Sequence, residues 1–501
     1  MPMNHILPLM VGIPLGMAVV NLLLSKATKR ISDVLAPLTT LALAVMAFYL
    51  LGSEKTTYWM GGWNPPFGIT LVYDGLSGLL LVIVNTVAFL SAFYSISYME
   101  KYTAKPKFYS LFLLMVAGMN GVVITGDLFN LFVFLEIASI SSYALVGFGV
   151  EHEELEASFK YLILGAIAST MILLGTALTY SMTGSVNMAD AMNILGNTGP
   201  SKTMAFAAGA FIMGFALKSG LVPFHAWLPD AHPSAPAPVS AMLSGVLIKA
   251  IGAYALLRVI FNVLGATQIH LNIMLVLGAL SMVVGVFLAV GQFDLKRQFA
   301  YHSISQMGYV ILAFGLGTHL GFVAGLFHLM NHATFKSLLF LASGAIEHAT
   351  GTHHMKKLGG VREKMPVTSS AMVAGSLSIS GLPPFNGFFS KLLIVIACVQ
   401  ANQMLFAALA SVSAVITLLS FLKAMKFSLF GDLPERFKAI REVPFPMAFS
   451  LIALSVICLG VGIAFLVGPT FSELFLEPGA AVLFDGLKNN AASYISTVLG
   501  G

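Results

Sequence analysis

Apolar runs long enough to cross a bilayer, roughly 20 residues each, recur along this chain from His5 nearly to its last residues. In hydrocarbon no water is available to backbone N–H and C=O groups, so runs of this length can only be helices that bond within themselves. Only 9% of the 501 residues are charged, against about 25% in a soluble chain, which excludes a water-soluble globule. The runs leave no stretch for a separate soluble domain. The first run, His5 to Leu24, has no basic residue before it and no small-residue cleavage site after it, so it reads as a retained helix and not a signal peptide. Cys398 and Cys458 stand singly in apolar helices, and predict neither a disulfide framework nor an iron–sulfur or zinc site. The formal charge of +5 resides in short loops, where membrane orientation explains it. Nucleic-acid binding is therefore not expected.

The expected fold is an all-α polytopic membrane protein of about fourteen helices, by run length and by Gly/Pro and charge clusters between runs. The spans fall near 5–24, 32–51, 73–98, 107–125, 127–149, 157–182, 201–228, 238–262, 271–291, 298–316, 318–342, 367–398, 402–430 and 446–468. Lys and Arg gather in every second loop, for example at Lys26 and Arg30, Lys101 and Lys105, Lys296 and Arg297, Lys356 and Arg362, Arg436 and Arg441. The positive-inside rule makes these loops cytoplasmic and puts both termini outside, in a cell (cytoplasmic) membrane.

The chain also repeats itself. Ser219-Gly-Leu-Val-Pro-Phe-His225 is echoed by Ser380-Gly-Leu-Pro-Pro-Phe-Asn386, and Ala157-Ser-Phe-Lys160 by Ala333-Thr-Phe-Lys336. The offset is an odd number of spans, so the copies cross the membrane in opposite senses, as in transporters with inverted repeats. Residues 1–106 then hold the first spans, 107–262 the first five-helix repeat, 271–430 the second, and 446–501 the last helix and a short tail. Each copy places Gly and Pro in mid-span, at Gly220 and Pro223 and at Gly381, Pro383 and Pro384. Proline removes a backbone hydrogen bond, so each of these helices should be broken, and a broken helix in lipid lines a cavity.

Ionisable residues inside the spans carry the functional reading. Glu136 lies about nine residues into its span, near the membrane middle at 1.5 Å per residue, and needs a cationic partner or a proton. Lys218, beside the first break, is the candidate. Lys249 sits in mid-span with no carboxylate near it on its own helix, too far from either end to snorkel. Burial there should bring its proton affinity towards neutrality, as a proton relay requires. Lys391 follows the second break. His225, His232, His302, His328 and His332 form a second group, able to pass protons in a wet cavity. Lys160 and Lys336 are weaker candidates, since Lys160 falls close to a helix end. No H-E-x-x-H is present, and the polar run Glu347 to His354 reads as a loop, so no metal site is assigned.

These residues resemble the antiporter-like subunits shared by respiratory complex I, the Mrp-type Na+/H+ antiporters and membrane-bound hydrogenases. The matching motifs are Thr125-Gly-Asp-Leu-Phe-Asn-Leu-Phe-Val-Phe-Leu-Glu136, Lys218-Ser-Gly-Leu-Val-Pro-Phe-His-Ala-Trp-Leu-Pro-Asp-Ala-His-Pro233, His332-Ala-Thr-Phe-Lys336 and Leu377-Ser-Ile-Ser-Gly-Leu-Pro-Pro-Phe-Asn-Gly-Phe-Phe-Ser-Lys391. The resemblance implies two inverted five-helix repeats, each with a broken helix. It also implies a Glu136–Lys218 pair, a central Lys249, an exit group at Lys391, and His328, His332 and Lys336 between them. It implies no cofactor and no redox site in this chain, with other membrane subunits as partners and H+, with or without Na+, as cargo. Lysine at position 391 and the short tail fit the D-type component of Mrp antiporters and its hydrogenase counterparts. The competing expectations are a free-standing solute carrier and a passive scaffold.

Overall fold

A computed structural model of the chain describes residues 3–26, 28–199, 201–488 and 492–499. Helices dominate it. In chain order they are α1 Ile6–Leu24, α2 Ser32–Leu50, α3 Gly75–Tyr98, α4 Lys105–Ile124, α5 Leu128–Val146, α6 His152–Thr183, α7 Met188–Thr198, α8 Lys202–Lys218 and α9 Leu228–Ser234. Then come α10 Ala237–Met242, a π-helical stretch Leu243–Tyr254 and α11 Ala255–Asn262, which together make one continuous rod. The remainder are α12 Gln268–Val290, α13 Leu295–Gly315, α14 His319–Thr350, α15 Pro366–Ser380, α16 Asn386–Gln400, α17 Met404–Ser428, α18 Phe445–Val467, α19 Thr470–Phe475, α20 Glu477–Leu487 and α21 Ala492–Leu499. Among the described residues ten helices are long and apolar enough to cross a membrane. The long helices α13 and α14 are not among these ten, and both carry polar residues, including His302 and Gln306 on α13 and His328, His332 and Lys336 on α14.

Polar residues at the loop ends start these helices by accepting orphan backbone N–H groups. Asp74 and Ser77 form a reciprocal capping box on α3, Asp127 caps α5, Asp294 caps α13 and Thr318 caps α14. Helices are broken at both expected places. The chain leaves helical geometry between Lys218 and Leu228, with Gly220 at φ +68°, and between Ser380 and Asn386, with Gly381 at φ +79°.

Three features are not expected from the sequence. An antiparallel hairpin, β1 Thr56–Trp59 with β2 Thr70–Tyr73, covers the start of α5 through the Gly126 N–H on the Thr70 carbonyl. Its four-residue strands are too short to give a readable period. Residues 188–198, expected as loop, form the surface helix α7, and the tail after 468 folds into short helices, of which α20 packs on α3 and α14. The chain past α20 is described only at 492–499.

Two rods make the centre. Every residue of α14 from Gly321 to Ile346 is buried, as is the rod Ala237–Asn262. A helix buried all round is normally apolar all round, yet these two carry Lys249, Arg258, His328, His332 and Lys336. They touch at Gly245, where an added Cβ would stand 2.1 Å from the Ser337 Oγ. The rod meets the first helix break at Gly252, where a Cβ would lie 2.3 Å from the Ser219 Oγ.

One ion pair anchors the far end of the rod. Arg258 grips Asp74 with two parallel bonds of 2.7 and 2.9 Å, both side chains buried, while the Tyr254 hydroxyl accepts from the same guanidinium. Burial alone would push the Asp74 carboxyl up, but the Arg258 charge and its hydrogen bonds hold it below the usual range. Asp74→Asn should therefore cost about 3–5 kcal/mol, the penalty for stranding a buried charge. A carboxyl held low contributes above its unfolded pKa and loses that contribution as pH falls through the folded value. Thermal melts of the detergent-solubilised protein should show an acid-side loss of stability that is smaller in the asparagine variant.

Candidate functional site

Glu136 stands on α5, and Ser139 and Tyr143 follow at spacings that share one helix face. This face receives Lys218 from the last turn of α8. The ammonium donates to Ser139 Oγ at 2.8 Å and to Tyr143 Oη at 3.2 Å, and stands 3.7 Å from Glu136 Oε1. Ser169 of α6 donates to the same carboxylate oxygen. Lys218 is fully buried, whereas the Glu136 side chain keeps 28% of its surface exposed. The carboxylate thus lies at the edge of this bundle, beside the cation that its place in the span calls for. Each partner also has a serine of its own, Ser139 for the ammonium and Ser169 for the carboxylate.

Lys249 occupies the π-helical stretch, which inserts extra backbone per turn and leaves carbonyls off the usual i→i−4 ladder. Its ammonium curls back to the Ser244 carbonyl at 2.5 Å. It is completely buried, and no carboxylate pairs with it among the described residues. An ammonium has three donors, so a charge held here needs further acceptors to offset its desolvation. Ser244 in turn bonds Ser303 on α13 at 2.6 Å.

From α14 onward the polar groups succeed one another. Lys336 donates to the Phe299 carbonyl of α13. His332, one turn earlier, is fully buried, and neither ring nitrogen has a hydrogen-bond partner. His328 meets Ser390 of α16 through Nδ1 at 2.9 Å and Gln306 of α13 through Nε2 at 3.1 Å. Beside Ser390, Lys391 donates to the Ile379 carbonyl at 2.7 Å, its ammonium 5.0 Å over the Tyr309 ring. Ile379 is in the last turn of α15, so Lys391 satisfies one of the carbonyls that the second break sets free, at the negative end of that half-helix. At the first break the Trp227 indole donates to the Leu217 carbonyl at 3.0 Å, which also accepts from the Gly220 N–H at 3.1 Å.

The remaining expected residues divide. His302 is buried and bonds Ser420 of α17 at 2.9 Å, placing it on the α13 flank of the row. His232 is buried on α9, stacked on Phe340, with both ring nitrogens unpartnered. His225 lies half-buried in the first break. Lys160 does not join the row. It is exposed on α6 and pairs with Glu156 and Asp230 at 2.8 and 3.1 Å, so the sequence echo of Lys336 has no counterpart in burial. No cluster of three or more metal-ligating side chains occurs among the described residues. Ser139, Tyr143, Ser169, Gln306 and Ser390 are additions to the expected set, although the 136/139/143 spacing carries a signal for the first two.

The sequence family described as NADH:quinone oxidoreductase/Mrp antiporter, TM, matches residues 125–417, the segment that holds every group in the row. This chain belongs to that family. A second model, the N-terminus of NADH-ubiquinone oxidoreductase (complex I) chain 5, matches residues 59–109. Among curated relatives of the family, NADH-quinone oxidoreductase subunit N of Desulforudis audaxviator is 36% identical, over 86% of this chain and 89% of that one. The D-type component of the Na+/H+ antiporter of Alkalihalophilus pseudofirmus is 33% identical, over 85% and 87%. Among solved structures, a chain of the Mrp complex from a Dietzia species superposes with a TM-score of 0.90 at 29% identity, over the whole of both chains. A chain of the archaeal membrane-bound sulfane sulfur reductase gives 0.88 at 29%, covering 99% and 100%, and one of Thermus thermophilus complex I gives 0.75 at 26%, covering 91% and 97%. With ten apolar helices of spanning length among the described residues, the chain is a multi-pass membrane protein.

Replacing Lys391 with Met removes the donor that the Ile379 carbonyl uses. The stranded carbonyl should lower stability by about 1–3 kcal/mol, and Lys391→Arg should recover part of it, both read from thermal denaturation of the purified protein.

Proposed function

We propose that this chain is a proton-translocating, antiporter-like subunit of a multisubunit membrane complex, either an Mrp-type cation/proton antiporter or a complex I-like or hydrogenase-like oxidoreductase. The observation that carries the reading is the succession of buried ionisable groups from one broken helix to the other: Lys218, Lys249, Lys336, His332, His328 and Lys391. Four cavities among the described residues lie among loops and helix ends or on the flank of α15 and α18, away from this row.

The described helices group into fourteen crossings if α8 with α9, the rod Ala237–Asn262, and α15 with α16 each count as one. Two inverted five-helix repeats follow, α4 to the rod and α12 to α17, with both termini and the acidic tail outside. Protons would reach the row from one face, move along the imidazoles and amines, and leave near Lys391. Buried imidazoles without protein partners, such as His332, support the reading, since buried polar groups are otherwise paired, commonly by water. The Glu136–Lys218 pair would act as a gate. A carboxylate near Lys218 favours its charged form, and the field of that charge bears on Lys249 across the Ser219–Gly252 contact. The energy would come from partner subunits or from a counter-ion gradient, and Glu136 at the bundle edge is placed to sense a neighbour. Lysine at 391 favours the D-type assignment.

Lys249→Ala should abolish proton translocation by the assembled complex in inverted membrane vesicles while subunits still co-purify. Pumping at the wild-type rate would overturn the scheme.

A further inference from the structure

A cavity of about 490 Å³ opens on the face that carries the basic loops. Its walls are Glu151, Glu153 and Glu154 at the start of α6, Lys296 of α13, Glu347 in the last turn of α14 and His353 beyond it. Carboxylates alone at a loop cluster mean little, but the floor of this vestibule is built. The Lys296 side chain is only 2% exposed. Its ammonium pairs with Glu347 at 2.8 Å and also donates to the carbonyls of Ala235 at 3.2 Å and Pro233 at 3.4 Å. Next in the chain to Pro233 of that lining is His232, fully buried, with two unpartnered ring nitrogens. Its imidazole is within electrostatic reach of Lys296 on the vestibule side and of Lys336 and Lys249 on the other.

We propose that this vestibule is the proton-loading mouth of the row, with the Lys296–Glu347 pair as its latch and His232 as the first acceptor behind it. The inference rests on the translocation reading above and deepens it. A proton from vestibule water binds the Glu347 carboxylate and cancels the charge that holds Lys296. The freed ammonium gives a proton to a ring nitrogen of His232, breaking one N–H bond and making another. The neutral amine is then reprotonated by the Glu347 carboxylic acid, which restores the pair. The net result is one proton moved from water to His232, from which Lys336 and Lys249 are the next basic groups. The charges that set the latch come from several elements: Lys101 and Tyr98 at the end of α3 and His353 after α14 face Glu347, while Asp294 and Glu154 face Lys296. Making the surroundings of Glu347 more positive opposes its protonation and should slow loading at alkaline pH.

The test uses the assembled complex in inverted vesicles, with proton uptake followed by a pH-sensitive dye. Glu347→Gln, which cannot take up a proton, and His232→Gln should each lower the rate tenfold or more, with Glu347→Asp recovering part of it. Should either variant fail to assemble, Ser234→Cys offers a second route. Ser234 lines the vestibule, and the native Cys398 and Cys458 are buried. A membrane-impermeant cationic thiosulfonate added to assembled complex should block uptake from the vestibule face and have no effect from the other. Lys249→Ala separates the two levels of inference. If it abolishes uptake while Glu347→Gln, His232→Gln and modified Ser234→Cys all run at wild-type rates, the mouth is overturned and the row stands. If Lys249→Ala also runs normally, the row itself fails.

Discussion

An interrupted helix inside a bilayer leaves backbone carbonyls that water cannot reach, and much of this molecule is organised around that deficit. The two half-helices that end at Lys218 and Ser380 each present unpaired C=O groups and the negative end of a helix dipole. Trp227 answers the first and Lys391 the second, one with an indole N–H and the other with an ammonium. Such a terminus gives a lysine acceptors in an otherwise apolar bundle. A break therefore needs a donor, and at the second break that donor is a cation.

The same reasoning explains why the central rods tolerate charge. Lys249 and Lys336 each rest on a backbone carbonyl, supplied in one case by the π-helical stretch and in the other by α13. Gly245 and Gly252 bring the rod close enough to α14 and to the first break for electrostatic fields to pass between neighbours in a medium that screens them little. No group in the row is tied by more than a few short bonds, and His332 and His232 are tied by none. Protonation states there are therefore free to respond to one another, as the proposed transfer requires. By contrast Asp74 and Arg258, doubly bonded at the far end of the rod, form a fixed point.

Much of this is legible from residue order. Run length and the scarcity of charge dictate helices in a membrane, because hydrocarbon admits little else. The paired Ser-Gly-Leu-x-Pro-Phe motifs mark both breaks, since Gly and Pro act on the local backbone and need no partner to do so. Lys218, Lys249 and Lys391 stand out because a charge in an apolar run is conspicuous whatever surrounds it. Ser139 and Tyr143 are readable in principle from their spacing to Glu136.

What the sequence alone determined, then, is what short-range physics controls: helices, breaks, and which charges lie within membrane segments. Only the tertiary structure decided that Lys160 faces out while its echo Lys336 is buried, that Glu136 keeps part of its surface exposed, and that Lys296 and Glu347 pair in the wall of one cavity. The hairpin at 56–73 and the π-helical register around Lys249 also emerged only there. Burial depends on which helix covers a given face. That is settled by packing between segments far apart in the chain, to which no local pattern of residues is sensitive.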